Sequence, residues 1–242
     1  MPTSYNWDWA ILVTKPYFGW LLHGLATTVM LALSAWVIAL VLGTLIGLAR
    51  TLPSALLRRL ATAYVDLFRN IPVLVQMFLW FFVLPEVVPQ EFGHWLKRDL
   101  PYPDFFSAMM CLGLYAASRV AEQVRSGITS VPVGLSAACR ASGLSLAQTY
   151  RYVLLPLGFR IIVPPLTSEF LGIFKNTSIA LTIGVMEITA ASRQIESYTF
   201  QGYEAFAAAT VLYLSISLVL LFLTRRIEAR ARIPGWIARG NS

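Results

Sequence analysis

The chain has 242 residues, 57% of them hydrophobic and only 13% charged, with a formal net charge of +7 and a mean hydropathy of +0.66. That composition excludes an ordinary soluble domain and points to an integral membrane protein. The basic surplus sits in short connections between apolar stretches, so it reads as a topology signal, and no nucleic-acid partner is expected.

Five membrane-spanning helices are predicted near residues 24–49, 64–84, 105–128, 158–185 and 204–224, each close to the ~20 residues needed to cross the hydrocarbon. They form a single all-α transmembrane domain over residues 1–242. Residues 1–20 lack a basic start followed by an apolar run, so the first span is expected to serve as the insertion signal. The connection after it carries Arg50, Arg58 and Arg59 without an acid, which assigns it to the cytoplasmic side. At Arg69-Asn70-Ile71-Pro72 the chain is expected to start or restart a helix, with Arg69 near the new N-terminus, because proline is tolerated only in a first turn. Arg69 is either a snorkelling interfacial arginine or part of a solute pathway. Trp80, Phe81 and Phe82 are expected to face lipid or the interface rather than a cofactor. The next connection carries Glu86, Glu91, Asp99 and Asp104 against Lys97 and Arg98 and is assigned outside.

In the third span Arg119, Glu122 and Arg125 recur every three residues, so they share a helical face and can pair along it. Two readings stay open: a structural salt-bridge ladder, or the lining of a route for a charged solute, since ionisable groups at membrane depth face protein or water-filled space. Residues 134–156 follow and read as two short helices around a glycine joint. Gly143 suits a left-handed helix end, and Ser145 with Gln148 three positions on forms a capping box that starts the second helix. Arg140 and Arg151 place this segment inside.

In the fourth span Glu169 and Lys175, six residues apart, fall on different helical faces, so each needs a partner from another element or from a substrate. Pro164-Pro165 removes helical donors one turn before Thr167-Ser168-Glu169 and is expected to weaken the helix and expose carbonyls, as in transporter binding sites. Glu187, Glu196 and Glu204 against Arg193 put the next connection outside. Arg225, Arg226, Arg230, Arg232 and Arg239 put the tail inside, giving an external N-terminus and a cytoplasmic C-terminus. Cys111 and Cys139 are expected to remain thiols. With only His23 and His94 and no phosphate-loop motif, no metal or nucleotide site is expected in this chain.

Five blocks carry a wider resemblance: residues 64–76, residues 119–125, residues 150–156, residues 162–169, and Phe174-Lys-Asn-Thr-Ser-Ile179. Together with residues 134–156, in which Ala138, Gly143, Leu155 and Pro156 match a coupling-loop pattern, they resemble the permeases of polar-amino-acid ABC importers, and most closely the glutamate/aspartate branch. The resemblance implies a type I importer permease fold and a non-catalytic translocation subunit. It implies pairing with a second, similar or identical permease, two ATP-binding subunits that carry ATP and Mg, and an external solute-binding protein that delivers the amino acid. No cofactor is implied in this chain, only contact with membrane lipid. It places ATPase coupling at Ala137, Ala138, Cys139, Arg140, Gly143, Leu144 and Ser145. The family's glutamate stands as Ala137 here and its second alanine as Cys139, so an ion pair at Ala137 is absent. The substrate pathway is expected along Arg69, Arg119, Glu122, Ser168, Glu169, Lys175, Asn176 and Thr177, with Lys175, Asn176 and Thr177 offering donors to carboxylates and Glu169 an acceptor to the ammonium. Two other readings are a secondary transporter or channel working without ATP, and a non-translocating assembly subunit, the latter if Glu169 and Lys175 are mutually paired through neighbours.

Overall fold

Long uncharged runs set the architecture, since a backbone without water as a partner must satisfy its own hydrogen bonds as helix. The computed structural model describes residues 5–231; Arg232 and Arg239 of the predicted basic tail lie outside the described residues. In chain order the helices are α1 (Tyr17–Ala49), α2 (Ala55–Asn70), α3 (Val73–Phe78), α4 (Leu84–Val87), α5 (Gln90–His94), α6 (Pro103–Thr129), α7 (Val133–Ala141), α8 (Leu146–Thr149), α9 (Leu155–Asn176), α10 (Ile188–Thr199) and α11 (Gly202–Ala231). Tighter or wider turns join several of them: a π-helical turn at Leu79–Val83 links α3 to α4, another at Tyr150–Leu154 links α8 to α9, and a 3-10 stretch at Thr177–Ile183 follows α9.

Three stretches are long and apolar enough to cross a membrane, Tyr17–Ala49, Leu146–Ile183 and Gly202–Arg230. A fourth is the pair Ala55–Asn70 and Val73–Val87, bent by 102°. The predicted second span is therefore not straight. Its helix ends at Asn70 and restarts at Val73 with Pro72 as the N-cap, as the proline requires. Arg69, however, sits in the last turn of α2, at a C-terminus rather than an N-terminus, where its charge complements the helix dipole. The third predicted span coincides with α6, whose 27 residues measure about 40 Å at the α-helical rise. Its length suffices to cross, but its charged residues keep it outside the apolar class.

Two further expectations are corrected. The helix does not break at Pro164-Pro165: α9 runs through both prolines, because proline's fixed φ is itself helical. The Thr167 and Ser168 hydroxyls donate to the Pro164 carbonyl at 2.8 and 3.3 Å. Nor is the second short helix after Gly143 separate, since α8 continues through the π turn into α9.

The chain divides into two compact units, one drawing on the stretch up to Ala35, Pro72–Leu112 and Gly172–Leu220, the other on Trp36–Ile71, Gly113–Leu171 and the stretch from Leu221 onward. In the first, Leu21, Ile195 and Ala205 form a core covered by Leu12, Tyr17, Trp20 and neighbours. The second is held by close backbone approach. A Cβ on Gly43 would lie 2.6 Å from Val120 Cβ, and one on Gly47 would lie 2.6 Å from the Ala121 carbonyl oxygen. Small residues let α1 and α6 touch where lipid offers no hydrophobic drive to association. Tyr64 Oη donates to the Leu114 carbonyl at 2.7 Å and Tyr150 Oη to the Thr51 carbonyl at 2.8 Å, tying α2 and the α8 to α9 turn to the same unit.

Candidate functional site

Six ionised groups of the second unit meet around α6. Glu122 is the junction: Arg125 donates to its Oε1 from one turn along, with Nε at 3.1 Å, Arg50 pairs with its Oε2, and Arg69 Nη1 lies 3.8 Å from the same oxygen. Arg119 does not join this ladder. Its Nε lies 2.7 and 2.8 Å from the two oxygens of Glu169 in α9, and its guanidinium sits over the Tyr115 ring at 5.9 Å. The expected Arg119–Glu122–Arg125 series is corrected on this point. A three-residue spacing gives reach, but the buried Glu169 carboxylate, 8% exposed, has the greater need of a counter-ion.

Four guanidiniums thus meet two carboxylates, Arg50, Arg69, Arg119 and Arg125 against Glu122 and Glu169, a formal surplus of two positive charges. The surplus is not hidden: the Arg119 and Arg69 side chains are 48% and 47% exposed, whereas Arg50 is 11% exposed and keeps a buried Nε without a hydrogen-bond partner. Such an array favours anions over cations and leaves open N–H donors on Arg119 and Arg69. Glu169 is satisfied by a neighbour from another helix, as its position on α9 requires. Ser168 is exposed beside it, and the Thr167 hydroxyl reaches the Glu228 carboxylate of α11.

The remaining predicted pathway residues belong to the other unit. Lys175 is exposed in the last turn of α9, and Asn176 is half-buried where the 3-10 stretch begins. Thr177 is fully buried and donates to the Phe174 carbonyl at 2.7 Å. Below it, Tyr213 Oη lies 3.4 Å from Thr177 Oγ1 and donates to Glu187, which caps α10 through the Ala190 N–H at 2.8 Å. Burial pushes the Glu187 carboxyl above its ordinary value, and the bonds from Tyr213 and the backbone oppose that rise.

The predicted coupling segment folds as its local chemistry dictates. At the end of α7 the Gly143 N–H bonds to the Arg140 carbonyl at 3.0 Å and the Leu144 N–H to the Cys139 carbonyl at 3.1 Å, a Schellman closure that needs the φ of +87° found at Gly143. The Ser145 hydroxyl accepts from the Gln148 N–H at 3.2 Å while Gln148 Oε1 accepts from the Ser145 N–H at 2.8 Å, completing the capping box. No residue of α7 is buried; Ala137, Ala138, Arg140, Gly143 and Ser145 are exposed, and Cys139 and Leu144 are partly covered. α7 presents a small-residue surface with one exposed cation, Arg140.

Arg50 and Glu228 entered the sequence reading only as ordinary connection and tail residues, or not at all. No sequence spacing points to Arg50 as a partner of Glu122, because the two are 72 residues apart and meet only once α1 packs on α6.

Comparison with known proteins decides the family. The model of the family described as binding-protein-dependent transport system inner membrane component matches residues 39–233. The chain belongs to this family. As such a membrane component it is 42% identical over 240 residues to the glutamate/aspartate import permease protein GltJ of Escherichia coli K12, with 96% of this chain and 98% of the relative covered. It is 32% identical to the glutamine transport system permease protein GlnP of the same organism, covering 94% and 99%. Among solved structures, this transport-system component matches the crystal structure of an amino acid ABC transporter with histidines at a TM-score of 0.81 and 27% identity, covering 93% of this chain and 100% of that one. The methionine transporter MetNI in an inward-facing form shares its fold at a TM-score of 0.75.

Proposed function

We propose that the chain is the translocating permease subunit of an ATP-driven importer for an acidic amino acid, glutamate or aspartate. The near full-length likeness to GltJ carries this reading, and the positive surplus around Glu122 and Glu169 fits it physically. A dicarboxylate amino acid brings two negative groups and one positive, so its route needs more carboxylate donors than ammonium acceptors. The exposed N–H groups of Arg119 and Arg69 supply donors of this kind.

The subunit works in a complex. A second permease, identical or similar, completes the membrane part, and an external solute-binding protein delivers the amino acid. Of the two ATP-binding subunits of the complex, one docks on α7 and α8 of this chain. Five spans, with α6 and the bent α2–α4 pair counted, put the N-terminus outside and the C-terminus in the cytoplasm, as the arginine bias of alternate connections requires. With Ala137 in place of an acid, docking rests on the shape of Ala138 and Ala141 and on Arg140. ATP-driven closure of the partner subunits is then passed through the Gly143 joint and α8 into α9, which continues α8.

The test is competition in proteoliposomes holding the complex, with ATP inside and binding protein outside. Labelled glutamate uptake is expected to be displaced by unlabelled aspartate and to resist glutamine and arginine. Preferential displacement by glutamine or arginine would overturn the substrate assignment.

A further inference from the structure

Ahead of α1, residues 5–13 double onto the start of α11. Glu204, in the first turn of α11, is fully buried. One of its oxygens takes the Tyr5 hydroxyl and the other the Asp8 N–H at 2.8 Å. Asp8 in turn accepts from the Ala10 N–H at 3.1 Å and starts a short 3-10 turn, Trp9–Val13, whose Leu12 packs on the Leu21, Ile195 and Ala205 core. The segment is fixed by polar bonds on its inner side.

Its outer side is aromatic. The Trp7 and Trp9 rings stack at 5.7 Å and 7°, and Trp7 also meets Tyr203 at 5.7 Å. Both tryptophans remain about half exposed, at 56% and 52%, and Val13 is 73% exposed. From Trp9 to Thr14 the sequence has no charged residue, and exposed Asp8 and Lys15 bracket the turn.

The sequence of α11 fixes the depth of this cluster. Residues 205–224 carry no charge and are bracketed by Glu204 and Arg225. Twenty residues at 1.5 Å each measure about 30 Å, the thickness of the hydrocarbon core. Glu204 therefore stands at one membrane boundary, where tryptophan and tyrosine are favoured because a ring's apolar body and polar edge both find partners. Phe206 and Val211 of α11 and Phe18 and Leu22 of α1 are exposed as well.

We propose that residues 5–13 form an interfacial anchor: Glu204 clamps the segment, and Trp7, Trp9 and Val13 insert at the lipid headgroup level, fixing how deep α11 sits. The occupant of this surface is the bilayer itself.

Power-saturation EPR on the complex in proteoliposomes tests this, with Cys111 and Cys139 replaced by serine and a nitroxide on Trp9→Cys, Val13→Cys or, as an aqueous control, Gln90→Cys. Positions 9 and 13 are expected to collide more with oxygen than with a water-soluble nickel chelate, the reverse of position 90. Adding Glu204→Ala is expected to shift the label at position 13 toward nickel. The proposal is overturned if positions 9 and 13 behave as position 90 does. It is also overturned if they lose nickel contact only when the solute-binding protein is added, or if Glu204→Ala leaves the ratio unchanged.

Discussion

The Arg119–Glu169 pair is asymmetric, and the asymmetry can be measured. Arg119 is half in solvent while Glu169 is almost wholly covered. Losing Glu169 lets the guanidinium turn to water, whereas losing Arg119 strands a buried carboxylate. Arg119→Met is therefore expected to destabilise the detergent-solubilised protein by ~1–3 kcal/mol, at the low end of broken buried pairs because of the exposed partner. Glu169→Gln alone is expected to cost less than Arg119→Met, and the double variant to recover part of that loss. Thermal unfolding of the three variants reads this order; equal losses from both single variants would contradict it. At this scale the sequence was only partly legible. It flagged Arg119, Glu122 and Glu169 as charges that needed partners, but partner choice depends on burial. The arginine that takes the most covered place beside Glu122 comes from position 50, far outside any helical spacing.

Among the elements, the joint at Gly143 was legible because everything that makes it is local: one φ-positive residue, one capping box and the bonds of a single turn. A Cβ at Gly143 meets no atom within 4 Å, so the cost of replacing it lies in φ alone. Gly143→Val is expected to distort the joint and reduce glutamate uptake more than the ATPase activity stimulated by loaded binding protein. Gly143→Asn, which tolerates a left-handed backbone, is expected to stay close to wild type. Equal uptake by the two variants would remove the joint from the coupling path. The opposite mechanism operates at Gly47, where φ is ordinary but a Cβ would press on the Ala121 carbonyl. Gly47→Ala is expected to lower thermal stability by ~1–3 kcal/mol through overpacking. Gly172→Ala, with open space around it, is expected to be neutral or slightly stabilising in its helix. Other features of the elements were not legible. Pro72 marks a restart of the helix, but nothing local sets the 102° bend. Pro164-Pro165 suggested a break because missing donors are visible in sequence, whereas the compatibility of proline's φ with a continuing helix and the two hydroxyls donating to Pro164 act only once the helix exists.

For the whole molecule, class and family were legible from composition and the order of blocks, since membrane residence imposes both. The charge cluster around Glu122 and Glu169 was less so, because it is assembled from α2, α6, α9 and Arg50 just past α1 rather than from one motif. A permease subunit with an exposed, unburied α7 and no phosphate loop of its own depends on a partner for energy, and ATP dependence is the central claim. The measurement that tests it most directly is labelled glutamate uptake into proteoliposomes of the assembled complex, with binding protein outside and either ATP or a non-hydrolysable analogue inside. Uptake is expected with ATP and none above background with the analogue. Equal uptake under both conditions would contradict ATP dependence and make the chain a carrier or channel that works without hydrolysis.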